Sequence, residues 1–175
     1  MFATIYLPNF YLQAAMRHQP ELRAQPVALL EEQEKKPVII QLNEAAEQAG
    51  IRKGMTPSQA LARYLQVTIK VRGRMQEKSI QEMLLHYAFT LSPFVEATKP
   101  GICTIQFTDN RDLSAKVSRV IVQLTECEIT AQAGIAPTPD TSLLIAHLAR
   151  PILEINNANE FLAPLPIETL AMIGT

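Results

Sequence analysis

Between residues 52 and 78 the chain carries Arg52, Lys53, Arg63, Lys70, Arg72, Arg74 and Lys78 against a single acid, Glu77. Cations in such a run neutralise phosphates without reading bases, which gives nucleic-acid binding that is sequence-independent and sensitive to salt. Arg52, Lys53, Lys70, Arg72, Arg74 and Lys78 are therefore the candidate DNA contacts. An ordinary solvated face is the alternative reading, since charged residues are common on any soluble domain. Few aromatic residues accompany the run, so base stacking is not expected. The preceding stretch has the opposite sign: Glu31, Glu32, Glu34, Glu44 and Glu47 outnumber Lys35 and Lys36. The formal net charge of -1 hides this asymmetry.

The other reactive side chains form no pattern. His18, His86 and His147 are far apart and have no Ser or Cys placed near them as a nucleophile, so core or surface roles are expected. Cys103 and Cys127 make no CxxC or Cys/His spacing and are expected to be small buried hydrophobes. Asp140 is better explained as a helix cap than as an acid catalyst.

A chain of 175 residues that is 47% hydrophobic can build one sizeable core, or a main domain with a small lobe. Its apolar runs are too short to span a bilayer. The opening MFATIYLPNF lacks the basic lead and clean apolar stretch of a signal peptide, so a cytoplasmic location is expected.

Hydrophobic patterning sets the elements. Strands are expected at 2–6, 27–30, 38–42 and 67–71, with short helices at 10–17, from Asn43 to Ala49 and at 57–64. Gly50 stops the second of these helices, and Pro57 opens the third in the first turn, where its missing N–H costs nothing. Ile80, Met83, Leu84, Tyr87, Ala88 and Leu91 recur at helical spacing, predicting a long amphipathic helix over 74–91. Strands at 94–97 and 102–107 flank the turn Lys99-Pro100-Gly101. A helix through Leu113 to Leu124, a strand at 129–136 and a helix capped by Asp140 or Thr141 complete the series. The first strand and everything from the long helix onward fit an α+β, ferredoxin-like layer: a mixed, mostly antiparallel sheet with helices on one face. The stretch between them is a small α/β insertion.

Five strings, in order, resemble the Y-family (DinB/UmuC-type) translesion DNA polymerases. They are Pro20-Glu-Leu-Arg-Ala-Gln-Pro-Val-Ala-Leu29, Ala46-Glu-Gln-Ala-Gly-Ile-Arg-Lys-Gly-Met-Thr-Pro57, Gln132-Ala-Gly-Ile-Ala136, Leu148-Ala-Arg-Pro151 and Leu165-Pro-Ile-Glu-Thr-Leu170. The resemblance implies a palm at 1–19 and 73–163, fingers at 20–72, and the start of a truncated thumb at 164–175, as in a fragment of a longer protein. It also implies phosphoryl transfer, in which two magnesium ions held by palm carboxylates neutralise the attacking and leaving oxygens.

The positions matching those carboxylates are Tyr6, Gly101 and Ile102, none of which offers magnesium an anionic oxygen. Glu96 and Asp109 lie nearby in sequence, but each stands alone. No catalytic residue and no cofactor is therefore expected, although the family would use Mg2+. Glu44 and Glu47 fall where the fingers' triphosphate donors belong, and carboxylates there would repel a nucleotide. Two nucleotide-binding candidates survive. Arg150 matches a triphosphate-contacting palm lysine or is a solvated helix-end residue; Tyr11 matches the aromatic steric gate or is packed core.

This pattern is similar to the non-catalytic ImuB-type branch. That likeness implies a bacterial, nucleoid-associated adaptor in SOS-induced translesion synthesis and DNA repair. Its partners would be DNA and, through regions beyond this chain, the sliding clamp, a RecA-like protein and an error-prone polymerase. The alternatives are an active polymerase with atypical ligands and a pure protein scaffold without DNA contact.

Overall fold

The computed structural model describes residues 1–31, 35–166 and 169. They form β1 (Phe2–Tyr6), α1 (Phe10–Met16), a 3₁₀ turn (Pro20–Ala24), β2 (Val27–Leu30), β3 (Ile39–Leu42), α2 (Glu44–Gln48), α3 (Pro57–Arg63), β4 (Thr68–Val71) and α4 (Arg74–Leu91). Then come β5 (Val95–Lys99), β6 (Ile102–Gln106), α5 (Leu113–Glu126), β7 (Gln132–Ala136), α6 (Pro139–Leu148), β8 (Ile152–Glu154) and α7 (Ala158–Leu162). The chain divides into two compact units, one of residues 1–8 with 81–175 and one of residues 9–80, and it passes from the second to the first within α4.

In the first unit a five-stranded sheet runs β5-β6-β1-β7-β8. β1 is central and antiparallel to both neighbours, while β8 joins the edge parallel to β7. With α4 and α5 as crossovers, the order of β5, β6, β1 and β7 is the expected ferredoxin-like one. Because strand side chains alternate, Ala3, Ile5, Cys103, Ile105, Ala133 and Ile135 share one face, and all are fully buried. Helices α4 and α5 bring buried apolar residues to cover it, among them Leu84, Ala88, Val117, Ile121 and Leu124. The Cys103 thiol sits in this layer, and burial pushes its pKa up to about 12, which keeps it inert.

The expectation of helices on one face only needs correction. α6 packs on the opposite face, that of Thr4, Tyr6 and Gly134. Its approach rests on Gly134, where a Cβ would collide with the Ser142 carbonyl and the Ile145 side chain. Beside it the buried Thr4 hydroxyl bonds to Ser142 Oγ at 2.7 Å, so the close contact leaves no polar group unpaired.

In the second unit the sheet order is β3-β2-β4, antiparallel then parallel. The central strand β2 is buried on both faces. Ala28 and Leu30 pack with Leu42, Ala46, Ile51 and Ala60, whereas Val27 and Leu29 pack with Leu12 and Leu22. Asn43 ties this unit together. Its side chain accepts from Ala46 N and Val27 N at 3.0 Å each and donates to the Gln25 carbonyl at 2.7 Å. As expected, Asn43 caps α2, Gly50 follows it at φ +82°, and Pro57 opens α3.

Smaller differences have local causes. The cap of α6 is Thr138, whose hydroxyl accepts from Thr141 N, because Pro139 fits the first helical position; Asp140 instead lies in the first turn, where its charge favours the helix dipole. The short elements β8 and α7, of three and five residues, are too brief for periodicity to signal. Of the final string, residues 167, 168 and 170 lie outside the described residues, as does most of the expected thumb segment.

Gly134→Ala should lower unfolding stability by ~1–3 kcal/mol, the range for overpacking, because helix backbone must give way. Urea denaturation measures it; a loss below ~0.5 kcal/mol would contradict the close approach of α6 to β7.

Candidate functional site

At the end of β1 the register sets Tyr6 opposite Ile102 of β6 and Gln132 of β7. The Leu7 amide donates to the Gly101 carbonyl at 2.8 Å. Tyr6, Gly101 and Ile102, the positions expected from the resemblance to stand at the family's metal ligands, are therefore neighbours. Their chemistry is different. The Tyr6 ring stacks on His147 of α6, with centroids 4.1 Å apart and planes 23° apart. Burial raises the Tyr6 phenol above its ordinary pKa, and the Arg150 charge offsets only part of this, so the oxygen stays protonated at neutral pH. Gly101 N donates to Gln81 Oε1 at 2.7 Å, and Ile102 is buried.

Arg150 follows α6 and is exposed, with Nη1 donating to the Ala149 carbonyl at 2.6 Å. When the Gln132 amide is turned so that its nitrogen donates to the Ala146 carbonyl (3.2 Å), its oxygen accepts from Arg150 Nη1 at 3.0 Å. His147, expected only in a core or surface role, stacks on Tyr6, a pairing that the sequence analysis did not foresee.

Magnesium does not fit these residues. A neutral phenol, a glycine and a buried isoleucine supply no anionic oxygen, and both Gly101 backbone groups are engaged. Among the described residues no group of three or more His, Cys, Asp or Glu is placed to hold a metal ion. Glu96 is exposed and stands opposite Thr104, not Ile102. Asp109 is held by Arg111, which keeps its carboxyl below the ordinary range.

The second unit holds the other candidates. Arg72 grips Glu77 with Nε and Nη2, both at 2.8 Å, and Glu31 with Nη1 at 2.8 and 3.0 Å. Its guanidinium carbon lies 3.7 Å from the Tyr11 ring centroid. The bond to Glu77, then that to Glu31, raises the Arg72 pKa against the opposing effect of burial. Arg72 was expected to reach phosphate; here two carboxylates and an aromatic face hold it, and only 21% of its side chain is exposed. Tyr11, half-buried beside Leu12 and Leu29, is covered by that guanidinium.

Lys70 donates to Gln19 Oε1 at 2.6 Å, and Arg52 donates to the Glu47 and Ile51 carbonyls. Lys53, Arg74 and Lys78 are exposed. Glu44 and Glu47 are also exposed, in the first turn of α2, where acids suit the helix dipole.

This arrangement of strands and helices is one that known proteins share. The impB/mucB/samB family profile matches residues 5–147, most of the chain. The chain belongs to that family. It is thus a Y-family polymerase domain of the UmuC-like kind. It is 29% identical over 180 residues to a protein of Shewanella pealeana named DNA polymerase IV, and 26% to one of Pectobacterium atrosepticum with the same name. Each match covers 94% of this chain and 49% of the relative, so the chain spans about half the length of these relatives. Among solved structures, a post-insertion binary complex of Dbh DNA polymerase superposes with a TM-score of 0.84 at 16% identity, covering 96% of this chain and 52% of that one. DinB from Sulfolobus solfataricus superposes at 0.81 with 15% identity, with the same coverage. At these identities the likeness concerns the fold.

Arg72→Ala should lower stability by ~1–2 kcal/mol, less than a fully buried pair would lose because the site is partly solvated. Arg72→Lys should recover only part, since an ammonium cannot grip both carboxylates and cover the ring. An unchanged urea midpoint in Arg72→Ala would return Arg72 to the solvated basic face.

Proposed function

We propose that this Y-family domain serves translesion synthesis and DNA repair as a non-catalytic, DNA-binding or adaptor component of the ImuB type. One observation carries the reading: the neighbouring positions that match the family's carboxylates hold Tyr6 stacked on His147, Gly101 and Ile102. Phosphoryl transfer needs magnesium to offset charge at the attacking and leaving oxygens, and these residues do not bind it. The palm in this proposal is 1–19 with 73–163, the fingers 20–72, and 164–175 the start of a thumb. A cytoplasmic, nucleoid-associated location in the SOS response goes with it. The sliding clamp, a RecA-like protein and an error-prone polymerase are its proposed protein partners.

DNA contact in this reading falls to the exposed cations Lys53, Arg74 and Lys78, with Arg52 beside them and with Arg72 and Lys70 serving the fold. Their substrate is the phosphate backbone, so binding is independent of sequence. Glu44 and Glu47, exposed on α2, disfavour a triphosphate. The relatives' name, DNA polymerase IV, favours the second reading, an active polymerase with atypical ligands.

Primer extension by the full-length protein with magnesium separates the two. No incorporation above background is expected, and robust incorporation abolished by EDTA would establish the polymerase. Fluorescence anisotropy on a primer-template should show binding that weakens steeply with salt. Lys53→Ala, Arg74→Ala and Lys78→Ala should each flatten the slope of log affinity against log salt by ~0.9 if the side chain neutralises one phosphate. Absence of binding even at low salt would leave a pure protein scaffold.

A further inference from the structure

In the first unit, a groove of about 520 Å³ runs between α4 and α5, and neither the family's chemistry nor the proposed DNA contacts use it. On α4 it is lined by His86, Tyr87, Thr90 and Leu91, which recur one helical turn apart on one side of the helix. On α5 the lining is Lys116, Arg119, Val120 and Gln123, spaced three or four residues apart along one side of that helix. The floor is apolar, with Leu91 half-buried and Val120 buried, and the rim is polar. The Tyr87 hydroxyl, 3.5 Å from Cys127 Sγ, bridges the two helices.

Two full cations and a histidine line the groove, and no carboxylate does. Asp109 feels the Lys116 charge, but its oxygens are held by Arg111. Among the described residues the Arg119 side chain makes no hydrogen bond or ion pair. The groove also lies on the outer side of the helical layer covering the Ala3, Ile5 and Ile135 face. Tyr6 and His147 are on the other face of the sheet. Nucleic acid lying against the Tyr6 face would thus be separated from the groove by the sheet and its helices.

We propose that this groove binds an acidic segment of a partner protein, seating one apolar side chain on Leu91 and Val120 between carboxylates that pair with Lys116 and Arg119. Charge complementarity selects that occupant. A cationic peptide would be repelled, and a purely apolar one would leave the rim charges without partners. The inference does not depend on the accessory role proposed above, because either a working or a non-catalytic polymerase domain would present the same surface.

The test uses the full chain and a fluorescein-labelled helical peptide bearing glutamates one turn apart around a leucine. The same peptide with glutamine for glutamate, and a single-stranded oligonucleotide, serve as comparisons. Anisotropy should show the glutamate peptide bound and the glutamine peptide weaker, with the double variant Lys116→Glu/Arg119→Glu losing affinity on the order of tenfold through its rim charges. Val120→Ser, if its melting curve stays close to that of the parent, should weaken binding without altering the response to salt. No binding at ~1 mM peptide, the weakest range that marks a site, would overturn the proposal. So would equal affinity of parent and double variant, or oligonucleotide binding that itself needs Lys116 and Arg119.

Discussion

The first unit depends on how closely α6 lies against β7. Without a side chain at Gly134, the helix backbone settles onto the strand, and the buried Thr4–Ser142 hydrogen bond fills the polar gap beside it. That seating places the last turn of α6 over the end of β1. His147 is then stacked on Tyr6, and the chain after the helix brings Arg150 to Gln132. The strand register of this chain is what makes Tyr6, Gly101 and Ile102 neighbours. The groups presented there are an aromatic pair beside a guanidinium, whereas magnesium-assisted phosphoryl transfer asks for carboxylates.

The second unit is organised by a different interaction. Arg72 brings together β2's end, the start of α4 and the ring of Tyr11, through Glu31, Glu77 and a cation–π contact. Each carboxylate alone would be desolvated at some cost; one guanidinium offsets two. The Tyr11 ring is thereby committed on one face, so a steric-gate role would require the guanidinium to share that ring with a sugar.

Much of the fold was legible because it rests on local rules. Apolar spacing over 74–91, Asn43 before α2, Gly50 after it and Pro57 at the start of α3 each encode their element within a few residues. Misreadings arose where a nearby competitor won, as with Thr138 displacing Asp140 once Pro139 took the first helical position. They also arose where the determinant was distant. Glu31 lies 41 residues from Arg72, so a charge count along the chain grouped that arginine with the exposed cations without showing the carboxylates that hold it. The face chosen by α6 likewise depended on a missing Cβ at Gly134, and the placement of His147 on a stacking partner at the opposite end of the sequence. The expected ligand positions were of another kind: they came from resemblance to a family and not from a local rule, and strand register makes them neighbours.

In the proposed role metal chemistry and nucleic-acid contact are separable, because the two depend on different physics in different parts of the chain. Magnesium binding demands several anionic oxygens converging at one point, which a neutral phenol, a glycine and an isoleucine do not supply. Phosphate contact is additive and geometrically forgiving, so in the proposed role exposed cations such as Lys53, Arg74 and Lys78 would contribute with little dependence on one another. Arg72, bound by its carboxylates, sits at the boundary between the two regimes: a cation in the basic run by sequence, a structural strut by its contacts. A protein that retains the forgiving interaction and lacks the exacting one can still occupy DNA. That separation makes a non-catalytic role physically economical on this scaffold.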